Sequence, residues 1–217
     1  AELQMAQASA ERIMSLVMAE SSIKDSPEVI ARIAANSKSD TAIDGYADTI
    51  HHIEFKNVSF SYDVGGKVLD NVSLTINHGE NVAIVGSTGG GKTSLISLLC
   101  RFYEPTEGQI LIDGIDYRHR SLHWLQSNLG IVLQSSHMFG GTVAENIRYG
   151  KLDASASEII EAAKKTGADH FIADMEKGYD TPVGEGGSSL SAGQKQLISF
   201  ARAILADPKI LVMERPL

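Results

Sequence analysis

The chain has 217 residues, with 19 Lys and Arg against 27 Asp and Glu, which gives a formal net charge of −8 at pH 7. This acidic balance argues against a protein dedicated to binding nucleic acid or anionic membranes, although a local basic site can still hold phosphates. A single cysteine excludes an internal disulfide, and no apolar run approaches the roughly 18 residues that a membrane-spanning helix needs.

Residues 1–48 differ in character from the rest of the chain. Leu3, Ile13 and Val17 recur at roughly helical spacing in a run rich in Ala, Glu and Met, which predicts an amphipathic helix. A second short helix is predicted around Pro27, and the polar stretch 36–48 indicates a linker. Two interpretations stay open on these residues alone: a helix packed on the domain that follows, or a helix that continues from a segment upstream.

From residue 49 onwards the sequence alternates between strands and helices. Strands are predicted over residues 53–60, 72–76, 81–85, 109–112, 129–133 and 210–213, and helices over residues 93–102, 143–148, 155–165 and 192–205. The run Asn81–Val85 (NVAIV) is short, apolar and bounded by turn residues, as expected of a strand buried on both faces. This alternation is typical of an α/β fold with parallel strands.

The segment Gly86–Thr93 reads GSTGGGKT and matches the pattern G-x-x-x-x-G-K-[ST]. Its glycines let backbone N–H groups converge on phosphate oxygens, and the helix predicted to follow adds free N-terminal donors and the positive end of its dipole. Lys92 can neutralise β- and γ-phosphate charge, and the Thr93 hydroxyl is suited to ligating Mg²⁺. An ordinary glycine-rich turn does not account for the Lys-Thr pair, so the loop predicts binding of a nucleoside triphosphate.

Three further features surround this loop in the sequence. Leu190–Gln194 (LSAGQ) opens a predicted helix, Gln134 ends a predicted strand with an amide that can reach Mg²⁺ or its water, and the Tyr62 ring could stack on a base. Each alone has a simpler interpretation: a helix cap, a polar strand end and a core aromatic. Their order and spacing around one phosphate-binding loop favour a nucleotide site.

With these motifs, residues 50–213 resemble the nucleotide-binding domain of exporter-type ATP-binding cassette (ABC) transporters. Tyr62 is similar to the family's base-stacking aromatic, Gly86–Thr93 to its Walker A loop and Gln134 to its Q-loop. LSAGQ resembles the LSGGQ signature, with Ala192 in place of the first glycine. The segments TVAENIRYG and TPVGEGG are similar to segments of exporter-type half-transporters, and QMAQASAERIMSLV looks like the cytoplasmic end of their last transmembrane helix.

The resemblance implies an α/β P-loop NTPase with a mainly parallel central sheet, an antiparallel β subdomain and a helical subdomain, incomplete at the C-terminus. It implies that residues 1–48 are linker helices from a transmembrane domain absent here, and that residues 49–217 are a nucleotide-binding domain truncated after its Walker B strand. The location implied is the cytoplasmic side of the cell membrane, with an integral membrane protein as parent and this segment itself soluble.

The resemblance also implies cofactors, site residues and partners. ATP and Mg²⁺ are the expected cofactors, Lys92 and Gln134 are assigned to catalysis, and Thr93 and Gln134 to the metal. The residues implied in nucleotide binding are Tyr62, Val68, Gly86, Ser87, Thr88, Gly89, Gly90, Gly91, Lys92 and Thr93. The signature residues Leu190, Ser191, Ala192, Gly193 and Gln194 are implied to act on ATP held by a second nucleotide-binding domain, in a head-to-tail dimer. Gln134 and Glu185 are implied to contact the transmembrane domain, and no nucleic acid partner is expected.

The ending ILVMERPL departs from the family pattern. Family members typically place Asp-Glu-Ala-Thr-Ser after the four apolar residues, where the Asp orders Mg²⁺ and the Glu orients the attacking water. Glu214 stands at the Asp position and is the remaining candidate catalytic carboxylate, whereas Arg215 stays protonated and cannot act as a base. Deleting one base from codons for Asp-Glu-Ala-Thr yields Glu-Arg-Pro-Leu, so a frameshift is one hypothesis for this ending, and an artificial chain boundary is the other.

Three functional interpretations follow from the sequence. The first is the ATPase domain of an ABC exporter. The second is a module that binds ATP without hydrolysing it, because Glu214 and Arg215 replace the Asp-Glu pair. The third, an ABC protein acting on DNA or ribosomes, is disfavoured by the acidic balance and by the helical extension.

Overall fold

The computed structural model describes residues 2–36, 43–46, 49–63, 65–133 and 136–214. The helices are α1 (Glu2–Val17), α2 (Pro27–Asn36), α3 (Lys92–Leu99), α4 (Leu122–Ser127), α5 (Val143–Arg148), α6 (Ala156–Thr166), α7 (Ala168–Ala173) and α8 (Ala192–Leu205). The strands are β1 (His52–Ser61), β2 (Lys67–Asn77), β3 (Glu107–Ile112), β4 (Ile115–Asp116), β5 (Leu129–Val132) and β6 (Ile210–Met213). No helix in these described ranges is long and apolar enough to cross a membrane.

The N-terminal segment divides into a helix with an exposed apolar face and a part that packs on the domain. Helix α1 confirms the first predicted helix, but Ile13, Leu16 and Val17 are exposed. In contrast, Val29 of α2 is buried, and the segment before α2 is bonded to the domain. The Arg101 guanidinium donates to the Lys24 carbonyl at 3.3 Å. Of the two interpretations left open, packing on the domain therefore applies to α2 and not to α1.

The larger sheet is antiparallel, with strand order β2-β1-β3-β4. Strand β1 pairs with β2 from His52 opposite Asn77 at one end to Ser61 opposite Lys67 at the other. The inward side chains of this sheet pack with one face of α3 and with the buried Trp124 of α4. The sheet cluster, as we name this core, includes Phe55, Val58, Phe60, Leu69, Leu95, Leu98, Ile110, Ile112 and Trp124.

A second core lies among the helices. The helical cluster is built from buried side chains of α5, α6, α7 and α8 together with the loop residues that join them. It includes Met138, Val143, Ile147, Ile159, Ile172, Leu190, Ile198 and Ala201. The predicted antiparallel β subdomain and helical subdomain are therefore confirmed as two separate cores. Of the predicted parallel sheet, the described residues contain the pair β5–β6, which runs from Leu129 opposite Ile210 to Val132 opposite Met213.

Residues 81–85, predicted to be a strand buried on both faces, do not form a strand. Val82, Ile84 and Val85 are exposed, and no backbone group of this segment hydrogen-bonds to another backbone group in the described part of the chain. The prediction was wrong because an apolar sequence favours a strand but does not supply the neighbours that must satisfy its N–H and C=O groups. Strand β6 forms as predicted, yet only Val212 within it is buried.

Candidate nucleotide site

The loop Gly86–Thr93 is a tight turn that leads directly into α3. The Gly90 N–H donates to the Ser87 carbonyl at 3.0 Å, and the Leu95 N–H donates to the Gly91 carbonyl at 2.9 Å, which starts the helix. Gly89 and Gly91 have φ values of +82° and +79°, in the left-handed region that favours glycine. The glycines of the motif therefore serve a conformational need of this turn.

Gly91 also has to lack a side chain because it packs closely against β2. A Cβ atom at this position would lie 2.7 Å from Leu69 Cδ2 and 3.1 Å from the Val68 carbonyl oxygen. At Gly89, in contrast, a Cβ would meet no atom within 4 Å. The loop is therefore seated on the start of β2, and Val68, a predicted nucleotide-binding residue, lies directly beside it.

The Lys92 side chain curls back over the loop that precedes it. Its Nζ donates to the carbonyls of Gly86 and Ser87 at 2.6 and 2.8 Å. The ammonium group is therefore held at the mouth of the loop, and anionic phosphate oxygens are stronger acceptors for it than neutral carbonyls. The Thr93 hydroxyl lies exposed in the first turn of α3. An ammonium group, a free hydroxyl and a glycine turn at a helix N-terminus are a donor set that fits a Mg²⁺-bound phosphate chain.

Tyr62 is fixed beside the loop by a hydrogen bond and by two aromatic rings. Its hydroxyl lies 3.0 Å from Ser94 Oγ in the first turn of α3. Its ring meets Phe60 at 4.7 Å and Tyr103 at 5.1 Å between centroids, both edge to face. The residue is 37% exposed, so part of it is accessible to a base. The sequence did not indicate Ser94 or Tyr103, because neither belongs to a motif.

The signature segment begins α8 and is anchored in the helical cluster. Leu190 is buried there, and Ser191 caps the helix: its hydroxyl accepts from the Gln194 N–H at 3.3 Å. The Gln194 side chain accepts in return from the Ser191 N–H at 2.9 Å, which completes a capping box. Ala192 and Gly193 are exposed. The segment therefore presents the N-terminus of a 14-residue helix to the surface.

Within one chain the two motifs stay apart. The loop Gly86–Thr93 leads into α3, whose Leu95 and Leu98 belong to the sheet cluster, whereas Leu190 belongs to the helical cluster. Among the described residues no hydrogen bond joins Gly86–Thr93 to the signature segment. The two motifs are therefore separate surfaces of this chain.

Glu214 continues the pairing of the parallel strands. Its N–H donates to the Val132 carbonyl at 2.9 Å, so it lies at the carboxyl ends of β5 and β6 and is half-buried. Gln134, the other predicted metal and catalytic residue, lies outside the described residues, as does Arg215. In the described ranges no group of three or more His, Cys, Asp or Glu could by itself hold a metal ion.

Phe139 and Tyr149 form an exposed aromatic surface that the sequence did not predict. Phe139 and Tyr149 stack with centroids 4.3 Å apart and an interplanar angle of 28°, and both are exposed. Arg202 holds them from α8: its guanidinium lies 5.2 Å from the Phe139 ring. Glu185 is exposed in the 3-10 turn Glu185–Gly187, whose last glycine contacts Met138.

Cys100 takes no part in this chemistry. The thiol is buried at the C-terminal end of α3, and burial raises its pKa to about 11. A thiol that stays protonated and inaccessible is neither a nucleophile nor a metal ligand. Its role is packing.

Comparisons with known proteins identify the family of this chain. The sequence model of the family described as ABC transporter matches residues 69–217. The uncharacterized ABC transporter ATP-binding protein YknV of Bacillus subtilis is 44% identical over 98% of this chain and 33% of its own length. The putative multidrug export ATP-binding/permease protein YgaD of Bacillus subtilis is 49% identical over 75% of this chain and 28% of its own.

A solved structure extends the similarity to the fold. The structure of a bacterial Atm1-family ABC exporter with ATP bound has a TM-score of 0.81 and 36% identity, over 97% of this chain and 34% of that one. The chain thus spans about a third of the length of the proteins it matches.

Proposed function

Because this chain belongs to the ABC transporter family, we propose that it is the ATP-binding part of an exporter that couples ATP binding and hydrolysis to transport across a membrane. The observation that carries the proposal is the loop Gly86–Thr93, with Lys92 held over a glycine turn at the start of α3. The names of similar proteins support the direction of transport, since one is a multidrug export protein and another an ABC exporter. ATP-binding domains of this family are in general ATPases.

The residues that would contact ATP and Mg²⁺ have distinct roles in this proposal. The backbone N–H groups of the turn and of the first turn of α3 bind phosphate oxygens, and Lys92 neutralises their charge. The Tyr62 ring and Val68 bind the base from the side of β2. Mg²⁺ supplies charge neutralisation on the phosphates when bound, and Thr93, with Gln134 and Glu214, would hold it.

The signature segment completes the site of a second copy of the domain. Ser191, Ala192 and Gly193 lie exposed at a helix N-terminus on a core separate from the loop. In a head-to-tail dimer this surface would face ATP held on the partner's loop. ATP would favour the closed dimer because it makes contacts with both chains, and hydrolysis would remove those contacts.

The remaining partner in the proposal is a membrane domain. The exposed face of α1 supports the assignment of residues 1–48 as the connection to it, with residues 49–217 as the nucleotide-binding domain on the cytoplasmic side. The exposed aromatic pair Phe139 and Tyr149 is an apolar surface suited to contact with that domain, and the exposed Glu185 is assigned to the same contact. Gln134 is the second residue assigned to this contact.

A second candidate function is ATP binding without efficient hydrolysis. The observation in its favour is the pair Glu214-Arg215, since an arginine at the position of the water-orienting carboxylate cannot accept a proton. In this candidate the loop and Tyr62 bind ATP as before, but turnover stays low.

Binding and turnover measurements on the 217-residue chain test both candidates. A fluorescent ATP analogue should bind in the presence of Mg²⁺, binding should be lost in Lys92→Ala, and it should be retained in the matched surface variant Lys164→Ala. Absence of binding in the unaltered chain would refute the proposed function. Measuring phosphate release distinguishes the two candidates. Low turnover that rises in the double variant Glu214→Asp, Arg215→Glu supports the second candidate, ATP binding without efficient hydrolysis. High turnover that disappears in Lys92→Ala refutes the second candidate and supports the ATPase.

A further inference from the structure

Three aromatic rings meet beside the nucleotide loop, and the most exposed of them belongs to Tyr103. Its ring lies 5.1 Å from the Tyr62 ring between centroids, at an interplanar angle of 90°, and 5.5 Å from the Phe60 ring. Phe60 is buried in the sheet cluster, whereas Tyr103 is 44% exposed and is not part of that cluster. The contact between Tyr103 and Tyr62 therefore lies outside the core.

The backbone around Tyr103 is fixed, so the position of its ring is set by the fold. Tyr103 lies in the segment 101–104, which follows α3. The buried Arg101 bridges this segment by donating from its Nε to Glu104 Oε1 at 2.9 Å. The hydroxyl of Tyr117, a buried residue of the sheet cluster, donates to the Tyr103 carbonyl at 3.3 Å. Tyr103 is thus anchored to the domain through its main chain, while its side chain contacts Tyr62.

The orientation of the Tyr62 ring depends on side-chain contacts. Tyr62 follows Ser61, the last residue of β1, so it lies beyond the end of that strand. The Ser94 hydroxyl contacts the phenol oxygen of Tyr62, and the rings of Phe60 and Tyr103 contact the ring itself. A ring that is already held in one orientation loses less conformational freedom when a base stacks on it, which strengthens binding.

Helix α3 connects these contacts to the phosphate-binding part of the loop. The helix begins at Lys92, has Ser94 in its first turn and ends shortly before Tyr103. The groups that would contact the phosphates and the groups that hold Tyr62 therefore belong to one continuous stretch of chain. The position of the Tyr62 ring relative to the loop is set by this single helix and the segment that follows it.

We propose that Tyr103 is a positioning residue of the nucleotide site, whose ring holds the Tyr62 ring in the orientation that stacks on the base of ATP. The inference rests on the proposed function, because it takes Tyr62 to be the residue that binds the base. Tyr103 acts through Tyr62 and not by contacting the nucleotide, and its ring suffices without its hydroxyl. Removing the Tyr103 ring should therefore weaken binding of ligands that have a base and leave binding of ligands without a base unchanged.

Calorimetric titration of the 217-residue chain with two ligands, each in the presence of Mg²⁺, tests this assignment. Adenylyl imidodiphosphate, a non-hydrolysable ATP analogue, has the base, whereas tripolyphosphate has only a phosphate chain. We expect Tyr103→Ala to weaken binding of the analogue about three- to tenfold, the loss that corresponds to one aromatic pair. Binding of tripolyphosphate should not change. In a Tyr62→Ala background, Tyr103→Ala should have no further effect, and Tyr103→Phe alone should bind the analogue as the unaltered chain does.

Phe102→Ala is the matched control, because Phe102 is a neighbouring exposed ring that forms no aromatic pair within the described part of the chain. This variant should bind both ligands as the unaltered chain does. Urea unfolding followed by tryptophan fluorescence verifies that each variant is folded. Tyr103→Leu, which keeps apolar bulk but has no ring, provides the same test if Tyr103→Ala is unfolded.

The possible results separate this inference from the proposed function. Analogue binding that Tyr103→Ala leaves unchanged overturns the inference, as does equal weakening of both ligands or an equal loss in the Tyr62→Ala background. A loss in Tyr103→Phe as large as that in Tyr103→Ala assigns the effect to the hydroxyl and also overturns it. Absence of analogue binding in the unaltered chain refutes the proposed function itself, and with it the role of Tyr103.

Discussion

Replacing Gly91 with alanine tests how the nucleotide loop is held on the sheet. The new Cβ would lie 2.7 Å from Leu69 Cδ2, and the backbone would remain at a φ of +79°. A left-handed conformation costs a non-glycine residue about 1–2 kcal/mol, and an added methyl group in a packed core costs about 1–3 kcal/mol. We therefore expect Gly91→Ala to lower the free energy of unfolding by about 2–5 kcal/mol.

Gly89→Ala is the matched control for this experiment. Gly89 has nearly the same φ, +82°, but a Cβ there would meet no atom within 4 Å. The conformational cost and the entropy lost by the unfolded chain are then similar in both variants. The difference between them isolates the contact with Leu69 and should be about 1–3 kcal/mol.

Urea unfolding followed by the fluorescence of the single tryptophan gives the measurement. Trp124 is buried in the same cluster as Leu69, so its emission reports on the affected core. With a urea dependence of about 2 kcal/mol per molar, the two midpoints should differ by roughly 0.5–1.5 M. Equal midpoints for the two variants would refute the seating of the loop on β2, whatever their common shift from the unaltered chain.

Three further predictions concern the site and the helical cluster. Tyr62→Ala should weaken ATP binding, measured by fluorescence titration, by about 1–3 kcal/mol of lost stacking. Tyr62→Phe should keep ATP binding, but thermal unfolding should show that it loses about 1 kcal/mol of stability with the hydrogen bond to Ser94. Ser191→Ala should cost about 1 kcal/mol in thermal stability, and Ser191→Asp, which retains a cap, should restore most of it. The Lys151 ammonium and then the Ser155 N–H lower the pKa of Glu158 from 4.5 to about 2, so the stability that this carboxylate contributes is present above pH 4.5 and is lost as the pH falls towards 2. The difference in urea midpoint between the unaltered chain and Glu158→Gln should therefore close over that range, and a difference that persists at the acid end would contradict this assignment.

Features encoded by neighbouring residues in the sequence were predicted correctly. The helix that starts at Ala192 was found because Ser191 and Gln194 form a cap within one turn. The glycine turn that leads into α3 was predicted because the glycines of Gly86–Thr93 stand at fixed spacings directly before an apolar helical pattern. Short strands such as β5 followed from their apolar runs and the turns that bound them.

Features that depend on distant residues were not predicted. The bond between Tyr62 and Ser94 joins residues 32 positions apart, and the sequence contains no pattern that pairs them. The burial of Arg120 beside Trp124 depends on how α4 packs under the sheet, and no sequence pattern pairs these two residues. The strand predicted over residues 81–85 was wrong for the same reason, because a strand forms only where other segments supply the strands that pair with it.

The exposed segment 81–85 has a consequence for handling this protein. A run of apolar residues without a charge or proline, whose backbone donors and acceptors are open, is a template for adding a strand from another molecule. Val85 directly precedes Gly86, the first residue of the nucleotide loop. A strand from another molecule paired with this segment would therefore restrict the loop. Self-association in concentrated samples and loss of nucleotide affinity should therefore rise together. Val85→Lys would suppress the association, because a charge within an exposed apolar segment disfavours pairing with a strand of another molecule.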